Sequence, residues 1–243
     1  MSFKGRVADR VGRALGLYII QRKELWSLVE RHCLELFLKT FKVDCVFDVG
    51  AHEGQYASRV RGSGFGGPII SFEPIPKLAD ILRNKAKADP NWYIEEVALD
   101  ECERRADLKI LAASALSSLL EPVHPSPHFV VVETVSVRTG VLARYLDKYR
   151  NQLGVQRPFL KIDAQGMDLA VAKGAGPCLH EFVGLYIEPA LVNHYSGQDD
   201  YKAQLAFYQQ NGFQLAATLT PPTRALSRLA EINCFMINER KTP

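Results

Sequence analysis

The chain has 243 residues, 47% hydrophobic and 23% charged, with a formal net charge of +3. That is ordinary globular composition and excludes a disordered chain. The charge is too small to argue for a nucleic-acid partner, and the length suits one α/β domain with insertions.

The five cysteines, Cys33, Cys45, Cys102, Cys178 and Cys234, show no CxxC pair and no metal-type spacing. They read as reduced thiols in a cytoplasmic protein. No apolar run approaches the roughly 18 residues of a membrane span. The apolar stretch 14–20 follows Arg10 and Arg13, but it is short and lacks a small-residue cleavage site. It is not read as a signal peptide.

In chain order, residues 3–40 carry apolar side chains at three- and four-residue spacing, from Val7 and Val11 to Cys33 and Leu36. That predicts a helical region, weakened in the middle by Gly12 and Gly16. Up to Lys42 there are nine Lys/Arg against four Asp/Glu. A helical cap over the core, residues 1–42, is the expectation; a basic face touching a membrane surface is the alternative. The domain proper is expected over 43–243. Strands are predicted at 45–49, 69–72 and 92–99, with helices near 55–61 and 76–87 between them, the pattern of parallel βαβ units. An insertion over about 101–157 is expected to line the substrate side, with strands at 106–111 and 129–137 and a helix at 139–149. Strands at 158–163 and 183–187 continue the sheet. A helix at 199–211 and an antiparallel pair, 213–218 with 232–237, close it.

The stretch VFDVGAHEGQY (46–56) organises this pattern. A strand runs into Asp48, turns through Gly50 and Gly54 and opens a helix, whose free N–H groups favour polar ligands. The acids Asp48, Glu73, Asp100, Asp163 and Glu188 close successive predicted strands. Ligands of open parallel sheets bind at those strand ends, and an acid about 20 residues after the glycine turn is placed to accept ribose hydroxyls. An acidic crevice suits hydroxyls, an amino group or a cation. The absent Gly-Lys-Ser/Thr argues against a P-loop NTPase, and the absent G-x-G-x-x-G argues against a dinucleotide.

These residues, with ISFEPIPKL (70–78), EEVALD (95–100), SSLLEP (117–122), FLKIDAQGMD (159–168), KGA (173–175) and YIEP (186–189), resemble the FkbM-type family of class I S-adenosylmethionine-dependent methyltransferases. The resemblance spans about 43–240. It implies a Rossmann-like α/β fold with a seven-stranded, mostly parallel sheet, one strand antiparallel, flanked by helices. It also implies methyl transfer to oxygen, often a sugar hydroxyl. His52 stands where the general class I turn has its middle glycine, and Gln165 where many members have Glu.

By this resemblance Asp48, Gly50, Ala51 and Gly54 would cradle the methionine portion of S-adenosylmethionine, with His52 and Glu53 in the same turn. Glu73 would accept the ribose hydroxyls, Val97 and Ala98 would flank adenine, and Asp163 would sit beside the sulfonium. A sugar hydroxyl has a very high pKa, so a base or metal should assist. Asp163, His194 and His52 are the base candidates; Asp163 with Glu188 is the candidate pair for Mg²⁺. His124 and His128 are expected to be exposed. Ser117 and Ser118 line the site or cap a loop. The acceptor is expected to be a small molecule, a glycosyl group or a glycolipid. A nucleotide-binding oxidoreductase and a non-catalytic module that keeps the fold are the alternatives.

Overall fold

The computed structural model describes residues 25–219 and 230–241. The amphipathic pattern over 3–24, and with it the predicted membrane-facing segment, lies outside the described residues. The helices are α1 (Leu25–Thr40), α2 (Gln55–Gly62), α3 (Pro76–Ala86), α4 (Leu142–Leu153), α5 (Asp168–Gly174) and α6 (Tyr201–Gln210). The strands are β1 (Cys45–Val49), β2 (Ile69–Phe72), β3 (Trp92–Glu95), β4 (Ala98–Leu99), β5 (Arg105–Leu111), β6 (Val131–Gly140), β7 (Pro158–Ile162), β8 (Gly184–Ile187), β9 (Phe213–Leu219) and β10 (Asn233–Asn238).

Seven strands form one sheet in the order β3-β2-β1-β7-β8-β10-β9. β10 runs antiparallel to both of its neighbours, and the remaining pairs are parallel. This is the seven-stranded α/β sheet that the resemblance implies. The chain builds outward from β1 to β3, then restarts at β7 on the other side. The reversal between β1 and β7 is the crevice where such sheets bind ligands.

The inner strands are apolar because both faces are covered. Phe47, Phe72, Leu160 and Leu185 point to one face, against α4 and the segment around Leu179 and Phe182. Val46, Ile69, Phe159 and Tyr186 point to the other, where α1 packs with Leu34 and Phe37, followed by Phe41 just past its end. Phe37 stacks on Phe41 with ring centroids 4.4 Å apart and reaches Phe159 at 5.0 Å.

Three predicted elements are redrawn. Residues 92–99 are not one strand: the chain breaks after Glu95, and Ala98–Leu99 pairs with Thr139 and Gly140 in a separate three-stranded sheet, β4-β6-β5. The helix expected from 139 therefore begins at Leu142, since Thr139 and Gly140 are spent on that pairing. Phe129 ends a single 3₁₀ turn, and β6 starts two residues later.

Candidate active site

A row of polar side chains crosses the buried sheet at the crevice. Asp48 is in register with Ser71 of β2 and Lys161 of β7. Trp92 Nε1 donates to Ser71 Oγ (2.9 Å), and Ser71 Oγ donates to Asp48 Oδ2 (3.2 Å). The Lys161 ammonium stands 3.2 Å from Asp48 Oδ1 and donates to the carbonyls of Val49 and Gly50, each at 2.9 Å. Asp48 and Lys161 are both buried. Burial works against the Lys161 charge, but Asp48, Asp163 and Glu188 outweigh it and hold the pKa above the ordinary lysine value.

Above this row lies the turn after β1. Gly50 has φ 72°, and a Cβ there would sit 1.8 Å from the carbonyl oxygen of Asp163. The N–H groups of Gly50 and Ala51 both reach the Phe72 carbonyl at 3.1 Å. His52 follows at φ 49°, a left-handed conformation unusual outside glycine. Its N–H donates to Glu73 Oε2 (2.8 Å), and Ile75 N–H donates to Glu73 Oε1 (2.9 Å). Both carboxylate oxygens are thereby fixed, each with acceptor capacity left over. Burial pushes the Glu73 pKa up to about 7, against the pull of the Ile75 and His52 N–H groups. The His52 ring is pinned too, with Nε2 2.9 Å from Ser114 Oγ and Nδ1 3.3 Å from Gln55 Nε2.

The turn after β7 faces it. Asp168 accepts from the N–H groups of Ala164 (3.0 Å) and Gly166 (3.2 Å) and so folds the loop 164–167. Burial raises the Asp168 pKa to about 6. Gln165, also left-handed at φ 50°, donates its amide to Asp163 Oδ1. The Tyr195 hydroxyl lies 2.9 Å from Gln165 Oε1 and 2.6 Å from the Leu116 carbonyl, and Ser118 Oγ donates to the Gln165 carbonyl (2.6 Å). Asp163 Oδ2 is 3.9 Å from the Lys161 ammonium. Glu188 has a raised pKa through burial first and Asp163 second, with Lys161 pulling the other way.

The two turns enclose a cavity of about 290 Å³. Gly50, Ala51, His52, Glu73, Val97, Ala98, Asp163 and Glu188 all line it, as do Ser117 and Ser118. Asp48 does not reach the lining; it lies under the turn and acts on it through Lys161. Glu53 and Gly54 also fall outside. Glu53 is exposed and its carbonyl receives Lys85 Nζ, while Gly54 caps α2 at φ 85°, where a Cβ would strike the Trp92 ring at 2.7 Å. Asp100 is bound to Arg104 Nη2 at 2.7 Å, away from the seven-stranded sheet, so the five strand-end acids do not form one crevice.

His194 is stacked beside the cavity lining rather than in it. Its ring lies 5.0 Å from His124 and 5.1 Å from Phe129, with Nδ1 buried and without a partner among the described residues. Burial, then the neighbouring His124, lowers its pKa. His128 is exposed and His124 is partly covered in that stack. Among the described residues, no group of three or more His, Cys, Asp or Glu is placed to hold a metal ion.

Sequence reasoning gave no role to Lys161, Gln55, Arg59, Ser114 or Tyr195. Lys161 left a signal, a lysine inside an otherwise apolar central strand, which needs a buried partner to be tolerated. Arg59, Gln55 and Ser114 left none, because surface helices and loops carry such residues everywhere.

The model of the methyltransferase FkbM domain family matches residues 48–215. The chain belongs to this family. It is therefore an S-adenosylmethionine-dependent methyltransferase, which sets it apart from the dinucleotide oxidoreductases that share a parallel sheet. Among solved structures, this FkbM methyltransferase is similar to an O-methyltransferase from Bacillus cereus in complex with SAH, at 13% identity and TM-score 0.49, over 98% of this chain and 91% of that one. It is also similar to an rRNA methylase from Streptococcus thermophilus, at 10% identity and TM-score 0.47, over 91% of this chain and 99% of that one. No curated protein matches its sequence. No described helix is long and apolar enough to cross a membrane.

Proposed function

We propose that this methyltransferase transfers a methyl group to a hydroxyl oxygen of a sugar, a glycolipid or a related secondary metabolite. The observation that carries the reading is the placement of Asp163. Its carboxylate opens onto the cavity, one oxygen held by Gln165 and the other facing Lys161, beside a wall of hydroxyl-bearing side chains, Ser114, Ser117 and Ser118.

The cavity residues fit the cofactor. Glu73 presents a buried carboxylate already oriented by two N–H groups, suited to two adjacent ribose hydroxyls. Val97, Ala98, Leu99 and Leu108 supply an apolar wall for a purine. Gly50 lets the turn pass against the Asp163 carbonyl at the cavity wall, where a Cβ would sit 1.8 Å from that oxygen. When bound, S-adenosylmethionine supplies an electrophilic methyl carbon on a sulfonium. The chain's own part is to hold the acceptor oxygen in line, exclude water and receive its proton. Asp163 is the proton acceptor in this reading. Gln165 and the Asp168-folded loop fix its direction.

The test is transfer of a labelled methyl group to a panel of free and lipid-linked sugars, for wild type and Asp163→Asn. O-methylated product is expected. The variant is expected to lose about 10²–10⁴-fold in kcat while binding S-adenosylhomocysteine within about tenfold of wild type. Label found on nitrogen or carbon, or full turnover by the variant, contradicts the proposal.

A further inference from the structure

S-adenosylmethionine ends in an amino acid whose carboxylate is negative and whose ammonium is positive. The cavity offers the ammonium three acids, Glu73, Asp163 and Glu188, and each of them repels the carboxylate. Two cations line the cavity among the described residues, Lys161 and Arg59. Lys161 donates to the carbonyls of Val49 and Gly50, and its charge is paired with the buried Asp48 at 3.2 Å. Arg59 is differently placed. It lies on α2 one turn after Gln55, on the same helix face, and both line the cavity. Among the described residues one guanidinium hydrogen bond is formed, Nη1 to Glu30 Oε1 at 2.9 Å, and a guanidinium carries five N–H donors.

Glu30 belongs to α1 and is itself gripped by the Tyr186 hydroxyl at 2.7 Å. The cap helix thus holds Arg59 through Glu30, and Arg59 shares the cavity lining with Gly50, Tyr56 and Glu188. The Arg59 side chain is 44% exposed, so it can turn its free edge to a ligand without breaking the core.

We propose that Arg59 binds the α-carboxylate of the cofactor's amino acid portion, with α1 as its support through Glu30. The proposal rests on the reading of this cavity as the cofactor site. Guanidinium matches a carboxylate through paired, charge-assisted hydrogen bonds, the geometry that lysine does not reproduce. Arg59 is a binding residue here, and its effect falls on cofactor affinity.

The test is calorimetry of the full chain with two probes. S-adenosylhomocysteine carries the amino acid; 5′-methylthioadenosine has the same adenosine and sulfur without it. Arg59→Gln is expected to weaken S-adenosylhomocysteine by about tenfold or more and to leave 5′-methylthioadenosine within about twofold. Arg59→Lys should recover part of the loss. Equal affinity of Arg59→Gln and wild type for S-adenosylhomocysteine overturns the proposal. So does an equal loss for both probes, which would mark a general disturbance of the cavity. Glu73→Ala run alongside separates the two readings: it should weaken both probes, and a Glu73→Ala protein that binds both normally defeats the cofactor site itself.

Discussion

Replacing Lys161 with methionine is expected to destabilise the fold by about 3–5 kcal/mol, the usual cost of leaving a buried charge without its partner. The change strands Asp48, which is fully buried and otherwise receives only the Ser71 hydroxyl. It also frees the carbonyls of Val49 and Gly50, which Lys161 holds in place. Urea denaturation reads the loss. The double variant Lys161→Met with Asp48→Asn removes both charges, and it should recover a large part of the stability, since an apolar and a neutral side chain need no mutual compensation. Recovery of stability without recovery of S-adenosylhomocysteine binding is the specific expectation, because the turn carbonyls remain unheld. A double variant no more stable than Lys161→Met would show that the ion pair is not the source of the effect.

Gly50→Ala is the second large effect, and the structure contains its own control. Gly50 and Gly154 share the same φ of 72°, so an alanine meets the same backbone strain at both, about 1–2 kcal/mol. They differ in what a Cβ would touch. At Gly154, which caps α4, nothing lies within 4 Å, whereas at Gly50 the Asp163 carbonyl oxygen is 1.8 Å away. That oxygen is backbone just beyond β7, and the Asp163 N–H is tied to the Val49 carbonyl, so it cannot yield cheaply. Gly154→Ala is expected to keep S-adenosylhomocysteine affinity and lose only the strain. Gly50→Ala must move the turn away from β7, and it is expected to lose about 100-fold or more in that affinity, the scale of two or more charge-assisted contacts. Thermal melting and calorimetry on the two variants decide it. Similar behaviour of the two would mean that strain, not the clash, governs Gly50.

The glycine turn was legible in the sequence for a physical reason. A buried parallel strand must be apolar, and a turn that passes against a neighbouring strand must be glycine, so β1 and Gly50 announce themselves. β2, β7 and the closing antiparallel pair followed from the same apolar runs. What failed to show was pairing. Nothing in residues 92–99 reveals that Ala98 and Leu99 leave the sheet to join β6, because strand propensity is blind to the partner. Asp100 was misplaced with them, and the crevice of five acids shrank to Glu73, Asp163 and Glu188. The row of Ser71, Asp48 and Lys161 was hidden for the same reason, as it exists only once three strands stand in register. His194 shows the other limit: a histidine in a predicted site loop is packed against His124 and Phe129 in a three-ring cluster, and no local pattern separates these outcomes.

Whether the cavity holds the cofactor through Glu73 is decided by calorimetry with S-adenosylhomocysteine on wild type and Glu73→Ala, at pH 6 and pH 8. Burial raises the Glu73 pKa to about 7, and only the ionised carboxylate accepts from both ribose hydroxyls. Wild-type affinity should therefore be full at pH 8 and fall as pH drops through 7, by no more than about tenfold per unit. Glu73→Ala should bind far more weakly and keep only the pH dependence of Glu188, whose carboxyl burial raises to about 8. A folded wild type that does not bind, or a Glu73→Ala protein that binds as tightly at both pH values, would contradict the account.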